Sequence, residues 1–372
     1  DPEGESLHGF DWMYRPDAGA LRLRDMRTFA EAAKAASRQV LGREVKMGVA
    51  FDPGNEFCKS EFREKKHPEL FLSGEGALRC IDATGRMRAD NSQPFAGFPE
   101  GVPEGLPFGT FFGRQCAAFF AAMPFDFLWL SNSFGFGRSP YADDAVSEFF
   151  DGQTFKLAKN HEVREAVVDF WRRFRAECPD IRVACRGTDY SAGINMISQA
   201  TPYEHIYREA GWITPPPNTP WQAVTGNHGV ALAGVMTQLA AYPGEAFAYR
   251  FYMSDPWWLN SPWEDRYQMN PSDIYLTTSL SRLRENGKLN YVTDVNLVSL
   301  DTVWGELPER FPDTVIPHLK RALSERPTAA GPFVWVYPFE AFREAIFERR
   351  AGAGHVLAGD ANMIQALNRG LP

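Results

Sequence analysis

The sequence lacks most of the features that would assign a class at once. No apolar run reaches 18 residues, so no helical membrane span is expected. The five cysteines (Cys58, Cys80, Cys116, Cys178 and Cys185) are odd in number and form no C-x-x-C pair. That excludes a zinc knuckle and argues against a disulfide framework. The seven histidines include no H-x-H and no H-E-x-x-H, so spacing gives no metal-hydrolase signature. There is no G-x-S-x-G elbow and no Walker loop, and neither Gly135-Phe-Gly137 nor Gly352-Ala-Gly354 completes a dinucleotide fingerprint. A basic surplus is missing too. Lys and Arg number 39 against 47 Asp and Glu, a net charge of -8, which argues against broad nucleic-acid binding.

What remains is the profile of a folded globular chain, with 44% apolar and 23% charged residues over 372 positions. Disordered, coiled-coil and fibrous classes are thereby excluded. Aromatics stand out, at 29 Phe, 12 Tyr and 10 Trp, and they are unevenly placed. A chain opening on Asp1 and not on methionine fits removal of a signal peptide or other upstream segment. The compartment therefore stays open between cytoplasm and secretion, and a homo-oligomer is compatible with everything in the sequence.

Along the chain a short apolar run, a loop and a helical pattern recur. Strand-like runs are expected at 8–13, 45–51, 125–130, 181–185, 220–226, 246–253, 290–300 and 333–337. Helices are expected over 21–41, 111–123, 162–177 and 230–241. On the first, Met26, Phe29, Ala30, Ala33 and Ala36 would share one buried face. Residues 57–109 read as a long insertion with a hairpin at 78–88 around Thr84-Gly85. Eight strands alternating with helices predict an α/β fold, a (β/α)8 TIM barrel over 1–340 with that insertion after an early strand. The helical segment 341–372 would close the barrel or begin a further domain. The Phe-rich stretches 108–127 and 134–155 sit on strand and helix patterns and are expected in the core.

In such a barrel the chemistry sits at the carboxyl ends of the strands. Here those ends carry Asp11, Asp52 and Glu56, Asn132, Asp189, Asp255, Asp301 and Glu306, and Glu340. His8 and His228 stand beside strand-like runs and could join this rim. A ring of carboxylates suits general acid/base or nucleophilic chemistry, since like charges and burial push pKa values apart. Acidic residues after strands also cap the helices that follow, so the set carries the signal and no single member does. Sugar sites further need flat aromatic surfaces. Phe251–Tyr267 holds six aromatics in 17 residues, interleaved with Asp255, Asn260, Glu264, Asp265 and Arg266.

Three pieces carry a resemblance: Gly48-Val-Ala-Phe-Asp-Pro-Gly-Asn-Glu56, Asp126-Phe-Leu-Trp-Leu-Ser-Asn132, and the Trp-rich loop after Tyr249–Asp255. With them the chain resembles the TIM-barrel glycoside hydrolases of the broad β-galactosidase-like clan. That clan places an acid/base glutamate after an asparagine at the end of strand four, and its nucleophile at the end of strand seven. This sequence departs from the pattern. Its Asn55-Glu56 pair follows the second expected strand, the fourth ends in Asp189, and the seventh ends near Asp301 with Glu306 beyond.

The expected activity is hydrolysis of a glycosidic bond in an oligosaccharide or glycoside by two carboxylates, with no cofactor and no metal. Asp189 and Asp255 are the first candidates, with Glu56 and Glu306 in reserve. Asp11, Asn132 and Arg186 would bind hydroxyls or an acidic sugar group, and Trp257, Trp258 and Trp263 would stack on rings. The rival readings are a non-catalytic carbohydrate-binding or protein-docking barrel, since Trp and Tyr also favour interfaces, and a metal-dependent hydrolase on the same fold.

Overall fold

A computed structural model describes residues 22–51, 62–72, 81–92, 94–130, 134–138, 156–185, 203–211, 213–214, 248–254, 272–299, 311–336 and 362–371. It also describes 229, 232–233, 236, 239–240, 244–245, 338, 341 and 344. The chain divides into two compact units. The first comprises Asp1–Glu148, Ala158–Cys185 and Gln199–Ile213; the second comprises Phe149–Leu157, Arg186–Ser198 and Thr214–Pro372.

Three β/α repeats build the first unit. Helix α1 (Leu23–Leu41) starts with the Arg22 amide donating to the Asp25 carboxylate at 3.0 Å, which satisfies one orphan donor of the first turn. It ends at Gly42, whose φ of 66° only glycine takes without strain. Its inward line runs through Ala30, Lys34 and Ser37 at helical spacing, so Phe29 and Ala36, expected on that face, are exposed. The Ser37 hydroxyl donates to the Lys34 carbonyl and accepts from the Val45 amide, turning the chain into strand β1 (Gly48–Phe51).

The insertion contributes a short helical turn at Phe62–Lys66, a 3-10 turn at Pro68–Leu70, and strand β2 (Arg86–Met87) antiparallel to β3 (Leu106–Pro107). The expected turn at Thr84-Gly85 is present, held by the Thr84 amide and hydroxyl on Asp82 Oδ1 at 2.8 and 2.7 Å. Among the described residues its arms pair elsewhere. Ile81 bridges to Phe71, and Met87 pairs with Leu106. Helix α2 (Phe108–Ala122), β4 (Phe127–Leu130), α3 (Leu157–Glu177), β5 (Arg182–Cys185), α4 (Tyr203–Ala210) and β6 (Ile213–Thr214) follow. The sheet order is β1-β4-β5-β6. β4 lies parallel to both β1 and β5, with Phe51, Leu130 and Cys185 level at the carboxyl end.

At the amino-terminal edge one carboxylate ties β1 to β4. Asp126 accepts from the Met47 amide at 2.9 Å, from Lys46 at 3.0 Å and from Lys34 at 2.7 Å, and the Asp126 amide donates back to the Met47 carbonyl. Burial works against ionisation here. The Lys34 ammonium, the Met47 amide and the Lys46 ammonium outweigh it and hold Asp126 at about 2. A carboxyl depressed from 3.8 contributes stability that is present above about pH 4 and lost as pH falls toward 2. Asp126→Asn should therefore cost about 1–2 kcal/mol at neutral pH and almost nothing near pH 2. Urea unfolding at both pH values checks this, and an equal cost at the two would reject it.

The core of this unit is aromatic: of the stretches expected there, Phe108, Phe111, Phe112, Phe134 and Phe136 are buried, while Phe119, Phe120, Phe125 and Phe127 are only half-buried. Phe108, Phe112, Phe134, Phe170 and Phe174 meet in stacked, tilted and edge-on pairs. Gly109 and Gly113, one turn apart on α2, let α3 approach closely. A Cβ there would stand 2.6 Å from the Phe170 carbonyl oxygen and 2.8 Å from that of Phe174.

The second unit holds β7 (Ala248–Ser254), α5 (Ser272–Ser279), β8 (Ser281–Leu283), β9 (Leu289–Tyr291), β10 (Asp294–Ser299) and α6 (Phe311–Ser324). β7 and β10 run parallel, and β8 and β9 form a hairpin whose Gly287 has a φ of 78°. Leu232, Leu239, Ile274, Leu280, Val292, Leu319, Met363 and Leu367 make its core.

The expected (β/α)8 barrel is not what the chain forms. Its parallel pairs are β1/β4 and β4/β5, within a sheet ordered β1-β4-β5-β6, and a separate β7/β10 pair, accompanied by short antiparallel pairs. No eight-stranded parallel sheet closes among the described residues. Two physical reasons are visible. The expected strand at 290–300 breaks at Val292-Thr293, its halves pairing in opposite senses with different partners. Of the last expected strand, 333–337, the described part 333–336 pairs with nothing regular among the described residues. Phe333, Val334 and Val336 stand 57%, 59% and 85% exposed, behind Pro332, which has no amide for a ladder. The expected strands at 8–13 and 220–226 lie outside the described residues.

Candidate functional site

Parallel pairing gives each sheet one carboxyl edge. In the first unit Phe51, Leu130 and Cys185 end three neighbouring strands in register, so the chain leaves that edge toward Asp52, Ser131 and Arg186. In the second, Ser254 pairs with Ser299 and the chain leaves toward Asp255 and Leu300. All ten expected site residues (Asp189, Asp255, Glu56, Glu306, Asp11, Asn132, Arg186, Trp257, Trp258 and Trp263) lie outside the described residues, as do His8, His228, Asp301 and Glu340. What is described is the frame they leave from. In open α/β sheets ligands bind beyond such carboxyl ends.

The described residues hold two charged arrangements that the sequence did not single out. The first is a buried clasp around His67. Its ring is fully buried, with Nδ1 2.8 Å from Glu69 Oε1. The Glu69 oxygen also accepts from the Arg88 amide at 2.9 Å. Burial would raise Glu69, but the Arg88 amide and the imidazole outweigh it and hold its carboxyl below the ordinary value. An ionised carboxylate only accepts, so Nδ1 carries the proton. On the other side, Nε2 lies 3.4 Å from Asp90 Oδ2, without a hydrogen bond. Asp90 is held low by the Ser92 hydroxyl and amide, at 2.6 and 2.7 Å, against the pull of burial. An imidazole between two carboxylates can pass protons. Here Phe62, Phe95 and Phe111 wall it in, at ring separations of 5.0 to 6.4 Å. So placed, it fastens the Pro68–Leu70 turn to the Asp90–Val102 bridge. Three buried atoms stay without a hydrogen bond (His67 Nε2, Glu69 Oε2 and Asp90 Oδ2), which is costly.

The second arrangement is a polar cavity of about 400 Å³ where the 83–86 turn, the start of α2, Arg138 and one face of α3 meet. Lys159, Glu162, Ala166, Asp169 and Arg173 line it at helical spacing, opposite Arg86 and Arg138. Asp82 anchors Arg138 at 2.7 Å, and Lys159 reaches Glu162 at 2.7 Å. α3 was legible as a helix in the sequence. Its charged face gained meaning only once the turn from the insertion was seen to lie against it.

Two further groups bear on chemistry. Cys116 and Cys178 are buried free thiols, and burial pushes both above the ordinary thiol range, so neither is a ready nucleophile. Among the described residues no group of three or more His, Cys, Asp or Glu is arranged to hold a metal ion, and no helix is long and apolar enough to cross a membrane.

Fold and frame together define an α/β protein of two units, each with parallel strands opening at a carboxyl edge. No protein-family model, curated protein or solved structure matches the chain.

Proposed function

We propose that this protein is a carbohydrate-active hydrolase that cleaves a glycosidic bond with a pair of carboxylates. The observation that carries the reading is the parallel register of β7 and β10. Ser254 and Ser299 end side by side, so Asp255 and the segment bearing Asp301 and Glu306 follow from one edge, next in sequence to the Trp-rich stretch 256–267. The same logic in the first sheet sends the segments bearing Glu56, Asn132 and Asp189 from one edge of β1, β4 and β5. One carboxyl of the pair would protonate the leaving oxygen. The other would act as an ionised nucleophile or activate water. Trp257, Trp258 and Trp263 would present apolar faces to the pyranose ring.

The test is a hydrolysis screen on chromogenic glycosides and natural polysaccharides, run on the wild type and on Asp189→Asn and Asp255→Asn. Turnover by the wild type that both variants lose supports the reading. Saccharide binding with no turnover would replace it with a non-catalytic binding role.

A further inference from the structure

Beyond that reading, and independently of it, we infer that the cavity between the 83–86 turn and α3 binds a phosphomonoester-type anion. Its volume of about 400 Å³ falls in the range of small-molecule sites, roughly 300–1,000 Å³. Four cationic side chains (Arg86, Arg138, Lys159 and Arg173) reach its wall against two carboxylates, Glu162 and Asp169. A third carboxylate, Asp82, stands behind Arg138 at 2.7 Å and leaves the ensemble positive.

The carboxylates set the geometry of the cations more than they consume it. Arg173 Nε donates to Asp169 Oδ2 at 2.5 Å, one turn back on the same helix, which fixes the direction of its planar fork. Arg86 Nη1 donates to the Gly105 carbonyl at 3.1 Å. Each guanidinium has five N–H donors, and these two bonds use one nitrogen of each. Two oriented forks with further donors suit a tetrahedral oxyanion, which accepts bidentate bonds from arginine. Lys159, held at 2.7 Å by Glu162, adds a point charge at the same wall. The remaining wall, at Gly85, Pro107, Phe108 and Gly109, is backbone and apolar surface, with room for the organic part of a phosphomonoester. The charge ladder on α3 thus has a use that the two-carboxylate chemistry leaves untouched.

The test is isothermal titration of the full chain with inorganic phosphate and, separately, with glucose 6-phosphate, at a fixed ionic strength of about 0.15 M to screen diffuse attraction. The wild type should bind both saturably, one per chain, and the sugar phosphate more tightly, because the apolar wall adds contact. Arg86→Gln and Arg173→Gln should each weaken binding about tenfold or more. Arg208→Gln, on the exposed i,i+4 pair with Glu204, should leave it unchanged. Arg86 is exposed and Arg173 half-buried, so both variants should keep the wild-type circular dichroism spectrum. No saturable binding by wild type would overturn the inference. So would equal weakening by Arg208→Gln, or full-strength binding in the folded Arg86→Gln/Arg173→Gln double variant.

Discussion

On the proposed two-carboxylate mechanism, Asp189→Asn is expected to lower glycoside turnover at least about 100-fold, the usual scale for loss of a general acid or base. Asp189 follows Cys185 by four residues, and Cys185 is level with Leu130 at the carboxyl edge of the first sheet. An amide is close to a carboxyl in shape but neither gives nor takes the proton, so binding contacts persist while the chemical step fails. kcat should fall with KM nearly constant, which marks an interaction realised in the transition state. Asp255→Asn should behave alike. If the two act as one pair, the double variant should be little worse than the poorer single one, because residues acting as a unit are not additive. Near-normal kcat in Asp189→Asn would remove it from the chemistry, and a rise in KM alone would make it a binding residue.

The local elements were more legible than their assembly. α1 was expected over 21–41 and spans Leu23–Leu41, because the Gly42 stop is local, but its buried face runs through Ala30 and Ser37 and not through Phe29 and Ala36. The helix starts were misplaced. α2 begins at Phe108 where 111 was expected, and α3 at Leu157 where 162 was expected, since neither opens on a side-chain capping pattern. The β8/β9 hairpin was missed although Asn286-Gly287 is a strong turn signal between two short strands. Reading 290–300 as one strand hid it. α6 was missed because Pro317 interrupts a pattern that tertiary packing of Leu319 and Ala322 supports. The barrel was inferred from counting apolar runs, and a run such as Phe333–Val336 does not say whether a partner strand exists. In the site, the strand ends were readable because a carboxyl terminus is a local fact. The His67 clasp was not, since Glu69 and Asp90 lie 21 positions apart and meet only through the fold of the insertion.

Trp171→Ala should cost about 3–5 kcal/mol, among the largest stability losses available to the first unit. Trp171 is fully buried on α3. Its ring meets those of Phe170 and Phe174 at 5.2 and 5.8 Å, and its Nε1 donates to the Gly135 carbonyl at 2.7 Å. Removing the indole leaves a cavity among aromatics that cannot collapse into it, and an orphaned buried carbonyl besides. Gly135 supplies the complementary variant. Its φ is 87°, and a Cβ there would stand 2.5 Å from Trp171 Cζ2, so Gly135→Ala meets both backbone strain and a clash. The two costs separate in a double-mutant cycle followed by urea unfolding. In the Trp171→Ala background the clash is gone and Gly135→Ala should cost only the backbone strain, less than in wild type. If Gly135→Ala costs the same in both backgrounds, the indole does not press on this turn, and the contact that links the loop after β4 to α3 is not the one described.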